Sequence, residues 1–274
     1  MPENGRLIAL ASGVHPGLDP QAMVRVAGEA GYNSVGIWVE PGVNWQRNTT
    51  ASVRNELENH GLVALDVEVI WLQPGGKPNP VHHQIIDIGG ELGARNCLIV
   101  SSEPDEEQNK RLFEDLCIHA EAAGLRACFE FMGVTEIKNI EAARAVVEGV
   151  GHPSGGLLVD AFHLERVGLE PADVQSIDPR WLSYMQLCDV PARGAIDDPE
   201  AYYTDALDGR LAPGEGELPL AELLSQFSPD IPLSLEIRSR HYRENYPDPV
   251  ERARVIRERT LAFLEQAEAC TQGA

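Results

Sequence analysis

The feature that most restricts what this chain can become is an alternation. A short apolar run is followed by a segment of helical spacing, over and over along 274 residues. The runs are residues 7–12, 34–39, 62–70, 96–101, 125–132, 156–163, 182–190 and 233–239. Between them, Met23, Val26, Ala27 and Ala30 mark one helix face, and Phe113, Leu116, Cys117 and Ala120 mark another. Ile256, Thr260, Phe263, Leu264 and Ala267 mark the last. Gly31, Gly61, Gly93 and Gly124 stand where these helices should stop and the chain turn back. Strand and helix alternating eight times predict a parallel sheet closed into a (β/α)8 TIM barrel, with 1–274 as one domain. An open doubly wound sheet competes, but no G-x-G-x-x-G follows the first run. The one long irregular stretch is 191–232, with a short helix expected near 218–227. It would rise on the carboxyl face of the barrel, where a lid over a substrate belongs. Residues 71–80 form a second loop on that face.

Charge and composition exclude several partners. The 43 acids against 22 bases give a formal charge of -21, a field that repels nucleic acid and anionic membrane. No apolar run approaches 18 residues, and the first strand begins without a charged leader, so a cytoplasmic protein is expected. Cys97, Cys117, Cys128, Cys188 and Cys270 form no C-x-x-C pair and read as reduced thiols, most of them in the core.

The chemistry is at four strand ends. Side chains alternate across a strand with a period of two. In Ala127-Cys128-Phe129-Glu130-Phe131 the acid therefore opposes the two phenylalanines. Asp160 likewise opposes Leu157 and Val159, Gln186 opposes Met185 and Leu187, and Glu236 opposes Leu233, Leu235 and Ile237. The aliphatics belong against the helices, so Glu130, Asp160, Gln186 and Glu236 should point into the barrel mouth. Three carboxylates converging in a partly dry site repel one another unless a cation lies between them. The competing account is that some of these acids pair with a rim base such as Arg238 or Arg240. Three carboxylates and one amide carbonyl make a hard, all-oxygen set, which favours one divalent Mg²⁺ or Mn²⁺.

These strand ends resemble the xylose-isomerase-like TIM-barrel superfamily, which includes sugar epimerases, inosose dehydratase and 3-dehydroshikimate dehydratase. The resemblance covers essentially the whole chain. It is most specific at Phe129-Glu130-Phe131-Met132, Val159-Asp160-Ala161-Phe162-His163-Leu164, Gln186-Leu187-Cys188-Asp189, Pro213-Gly214-Glu215-Gly216 and Leu235-Glu236. It implies one metal ligand from each of the fifth to eighth strands, at Glu130, Asp160, Gln186 and Glu236. Many sugar epimerases of the group carry histidine at the third position; the dehydroshikimate dehydratases resemble this chain better, with glutamine there and a histidine three residues after the aspartate. The resemblance thus implies enolisation of a small polyhydroxylated carbonyl compound, followed by dehydration or by isomerisation and epimerisation.

Other residues complete the expectation. His163 is placed to act as general base or acid, or else to cap the following helix. Glu130 and Glu236 could face each other across a substrate as an acid–base pair. Glu68 shares its strand face with Asp66 and Ile70 and would reach substrate hydroxyls or an arginine. Trp38 would wall the pocket or belong to the core. Arg193, Arg210, Arg238 and Arg240 are candidates for a carboxylate or phosphate on the substrate, or neutralise nearby acids. A DNA-repair endonuclease of the same superfamily would need histidine-bound zinc and a basic face, which Gln186 and the charge argue against. The alternative of another class is a non-catalytic sugar-binding barrel, against which all four ligand positions hold competent oxygen donors. Assembly into a homo-oligomer is compatible with the sequence.

Overall fold

The computed structural model describes residues 5–272, with side chains as far as Ala269, so the Cys270 thiol lies outside the described residues. Eight parallel strands close into a barrel in chain order. They are β1 (Ile8–Leu10), β2 (Ser34–Trp38), β3 (Val63–Leu72), β4 (Asn96–Ser101), β5 (Arg126–Glu130), β6 (Gly155–Asp160), β7 (Leu182–Leu187) and β8 (Leu233–Leu235). Pairing of Ile8 with Leu233 and Leu10 with Leu235 closes the ring. Helices α1 (Pro20–Glu29), α2 (Thr49–His60), α3 (Pro80–Leu92), α4 (Glu106–Ala123), α5 (Ile140–Val150) and α6 (Ala161–Arg166) follow the first six strands. Helices α7 (Pro199–Asp208) and α8 (Leu220–Leu224) lie between β7 and β8, and α9 (Arg240–Asn245) and α10 (Pro249–Gln272) end the chain. No helix among the described residues is long and apolar enough to cross a membrane.

Local chemistry accounts for the helix ends. Asp19, Asn79, Asp105 and Asn139 accept backbone N–H groups at the starts of α1, α3, α4 and α5. Gly61, Gly93 and Gly124 cap α2, α3 and α4 in the left-handed conformation. Burial follows the strand alternation. Ile37, Phe129, Leu157, Val159, Met185, Leu187 and Leu233 pack between the barrel and its helices. Ala9, Leu65, Leu98, Val100, Cys128, Leu158 and Tyr184 fill the barrel interior. Each large aliphatic or aromatic side chain removed from water contributes about 1.5–3 kcal/mol, which makes these two layers the main stabilising term. Cys97, Cys117, Cys128 and Cys188 are free and buried.

Two expectations need correction. The run 156–163 is strand only as far as Asp160, because that carboxylate caps α6 and turns the chain into a helix, so His163 is helical. On β3, Ile70 does not share a face with Asp66 and Glu68; it packs with the outer layer. The register to β2 slips between Val35 and Gly36, and the register to β4 slips between Val67 and Ile70. Such irregularities insert a residue and reverse the alternation beyond them.

The first of them leaves Asp66 deep inside. Gly36 faces it, and a Cβ on Gly36 would lie 2.6 Å from Asp66 Oδ1. The carboxyl is 1% exposed, with the Tyr184 hydroxyl as its polar neighbour. Burial, against the lowering effect of the Tyr184 hydroxyl and with a smaller push from the charge of Glu236, raises its pKa to about 7. The folded state therefore binds this proton more tightly than the unfolded chain does. Its contribution to stability is present below the ordinary carboxylate pKa of roughly 4 and is lost as pH rises through about 7. For metal-free protein, Asp66→Asn should flatten that slope. The variant's stability relative to wild type should rise by about 2–4 kcal/mol between pH 4 and pH 8. Denaturant melts at the two pH values test this, and parallel slopes for variant and wild type would refute it.

Candidate metal centre

Strand register sets the four expected donors at one level. Glu130 pairs with Leu158, Asp160 with Gln186, and Gln186 with Ser234, two residues before Glu236. All four are buried. Gly13 leaves room for Glu236 as placed: a Cβ there would collide with its Oε1. Glu236 Oε2 is buried without a hydrogen-bond partner among the described residues. Glu130, Asp160 and His163 each offer an atom within 4.8 Å of the others, an arrangement that could hold a metal ion.

The acids of this cluster outnumber the two arginines, Arg210 and Arg238, whose charges act on them. Burial raises the pKa of Glu130, and the charge of Asp160 raises it further. Burial also raises Glu236, against the lowering effect of Arg210 and Arg238. Glu68 is raised by burial first, then by Asp66 and Glu236, although Ser12 Oγ donates to its Oε1 at 2.5 Å. The Gln186 amide oxygen faces only acceptors. Turned by half a rotation, the amide would instead donate to Glu130 Oε1 and Asp160 Oδ2, each at 3.0 Å. A carbonyl oxygen directed at two carboxylates is repelled unless a cation lies between them. The donor set fits a divalent ion held by Glu130, Asp160, Gln186 and Glu236.

Asp160 carries three contacts. Its Oδ1 accepts the N–H of Phe162 at 2.6 Å and of His163 at 3.4 Å, and its Oδ2 accepts from Arg210 Nη1 at 2.6 Å. Arg210 is itself buried, with Nη1 also donating to the Glu236 carbonyl and Nε to that of Ala206. The expected rim base thus exists, and it is Arg210 rather than Arg240. Arg240 pairs with Asp208 in the open.

A cavity of about 150 Å³ lies over the donors. Trp38, Glu68, Glu130, His163, Gln186, Arg210, Glu236 and Arg238 all line it, so most of the expected site is brought together. Val69, Trp71, Leu98, Val100 and Met132 form an apolar wall. Arg193 is not among the lining residues. It is largely exposed and pairs with Glu165 and Glu170.

The stretch 191–232 is more ordered than a loop. Asp189 Oδ2 accepts from Gly214 N and Oδ1 from Leu218 N, each at 3.0 Å, which joins the two sequence motifs. Helix α7 lies across the cavity with Tyr202, Tyr203, Ala206 and Leu207, and Arg166 holds its Asp205 at 2.9 Å. Tyr202 was missed by sequence reasoning. Its only signal was Asp198-Pro199, a cap and first-turn pair that starts α7. Tyr202 Oη accepts the N–H of Gly133 at 3.0 Å and lies 2.6 Å from His163 Nδ1. Burial lowers the His163 pKa to about 4, so the ring is neutral near pH 7 and one nitrogen keeps a lone pair. The rotating hydroxyl of Tyr202 can donate to Nδ1 or accept from it, leaving Nε2 as acid or base.

Comparison with known proteins agrees with this geometry. The model of the xylose isomerase-like TIM barrel family matches residues 24–259. The chain is 27% identical over 194 residues to a 3-dehydroshikimate dehydratase of Pseudomonas putida, covering 66% of this chain and 30% of that protein. It is 28% identical over 108 residues to an inosose isomerase of Halalkalibacterium halodurans, covering 39% of this chain and 36% of that protein. The matches therefore span about a third of each relative's length. A solved IolI protein with a bound zinc atom superposes with a TM-score of 0.79 at 16% identity, over 95% of this chain and 99% of that one.

Proposed function

This chain belongs to the xylose isomerase-like TIM barrel family, and from that premise we propose that it is a divalent-metal-dependent dehydratase of a small polyhydroxylated carbonyl compound, resembling 3-dehydroshikimate dehydratase. The observation that carries the reading is the convergence of four buried groups, Glu130, Asp160, Gln186 and Glu236, beside His163, all of them but Asp160 lining one cavity. The all-oxygen donor set favours Mg²⁺ or Mn²⁺. A bound divalent cation would draw electron density from a carbonyl group and make the adjacent C–H more acidic.

The chain's own groups do the rest. His163, neutral and held by Tyr202, takes the proton next to the carbonyl and returns a proton to the departing β-hydroxyl, so water leaves. Glu68 and Arg238 bind hydroxyl or carbonyl oxygens, Trp38 and the apolar wall pack the C–H face, and α7 acts as the lid. Isomerisation or epimerisation is the second reading. The raised pKa values of Glu130 and Glu236 suit two carboxyls that exchange protons with a substrate, and the inosose isomerase match supports it.

The test is incubation with 3-dehydroshikimate, ketoses and keto-polyols in D₂O with Mn²⁺. Dehydration predicts a product lighter by one water. Deuterium in an unchanged or rearranged skeleton favours the second reading. Neither change with any compound defeats both.

A further inference from the structure

A second cavity of about 430 Å³ opens beside the one over the donors, and Trp38 and Arg238 line both. Sites for small organic ligands ordinarily run to about 300–1,000 Å³. The donor cavity, at about 150 Å³, falls below that range and takes one small unit, whereas its neighbour is large enough to be a ligand site in its own right. The wall between them is built into the fold. Ser12 lines the second cavity and its hydroxyl donates to Glu68, which lines the first. Asn44 Nδ2 donates to the Trp38 carbonyl at 3.0 Å, and its Oδ1 accepts the N–H of Glu40 at 2.8 Å.

The lining points to the chemistry of an occupant. His15 is part of it, is 4% exposed, and its Nε2 has no hydrogen-bond partner among the described residues. Burial, then the charge of Arg252, lowers its pKa to about 3, so the ring is neutral near pH 7. A neutral imidazole nitrogen donates or accepts according to its tautomer, and a hydroxyl group satisfies either form. A hydrocarbon would leave that nitrogen unsatisfied. An anion gains little here. Asp19 and Glu40 bring negative charge to the walls, and Arg238 already lies in the field of the buried Glu68 and Glu236. A sugar ring fits these conditions: it is uncharged, carries hydroxyls at its edge, and has a C–H face that packs on an indole such as Trp38.

We propose that the substrate has two units, a keto-polyol seated at the donors and a sugar ring joined to it that lies in the second cavity against Trp38. The proposal rests on the reading of the donors as the reaction centre and adds the second unit to the compound that reading takes.

Titration calorimetry of the Mg²⁺-loaded protein with fructose, turanose and isomaltulose tests it, because the last two carry a glucosyl ring on different oxygens of the same ketose. At least one disaccharide should bind about 10-fold or more tightly than fructose, and which one does so identifies the oxygen that carries the second unit. Two variants locate that unit. Gly17 lines the second cavity and not the first, and a Cβ built on it meets no atom within 4 Å, so Gly17→Phe narrows the space without a backbone clash. Trp38→Leu removes the indole face. In each variant the preference for the disaccharide over fructose should fall below about 3-fold. Loss of the preference in either one supports the proposal. Its survival in both overturns it, as does fructose binding as tightly as both disaccharides, or no binding of any of the three. A wild type that takes up no Mg²⁺ counts instead against the metal centre. The preference is then measured in chelator, and the same two variants decide the proposal as before.

Discussion

Asp160→Asn is expected to weaken Mg²⁺ or Mn²⁺ binding by about 100-fold or more and to cost about 3–5 kcal/mol of stability. Both effects come from one oxygen. Oδ1 caps α6, and an amide oxygen can still accept from Phe162 and His163. Oδ2 faces Arg210 at 2.6 Å and the Gln186 amide at 3.0 Å. An NH₂ in its place would confront the Arg210 guanidinium, donor against donor, and leave a buried charge unpaired. Glu236→Gln separates the two effects. Its Oε2 has no partner to lose, so metal affinity should fall without a comparable loss of stability. Adding Arg210→Met to Asp160→Asn should restore most of the stability and none of the metal binding. Metal analysis and denaturant melts decide the matter. Stoichiometric metal in both single variants would rule out the proposed donor set.

His163→Ala should lower kcat by roughly 10²–10⁴, the usual worth of a positioned acid or base, while the protein keeps its metal. Tyr202→Phe should act in the same direction by about 10-fold, because it removes the hydroxyl that lies 2.6 Å from Nδ1 and spares the ring. An enzyme working through Glu130 and Glu236 should be far less sensitive to either change. Near-normal turnover of His163→Ala, with the substrate's α-proton still exchanging, would move the assignment to the isomerase side. Loss of the metal in that variant would make His163 a ligand instead, an option its position near Glu130 and Asp160 leaves geometrically available.

What was legible in the sequence follows from periodicity. A two-residue alternation within a strand needs no knowledge of the rest of the chain. It put Glu130, Asp160, Gln186 and Glu236 inside, and their neighbours Phe129, Val159, Leu187 and Leu235 outside, as the barrel has them. The same rule failed on β3, where register slips override alternation and send Ile70 to the outer layer. It also carried β6 three residues too far, because Asp160 serves as both strand end and helix cap.

The sequence by itself determined the barrel and the inward side of Glu130, Asp160, Gln186 and Glu236, since both are set by the spacing of apolar residues over a few positions. Only the tertiary structure decided which arginine does what. Arg193, Arg210, Arg238 and Arg240 are alike as residues in the chain. One is tied to Glu165 and Glu170, one is buried against Asp160 fifty positions away, one lies between two cavities within the field of Glu68 and Glu236, and one holds Asp208 in the open. Tyr202 reaches His163 across thirty-nine positions from a helix that folds over the mouth. Such contacts join irregular segments whose paths are fixed by anchors like Asp189, and no local period encodes them.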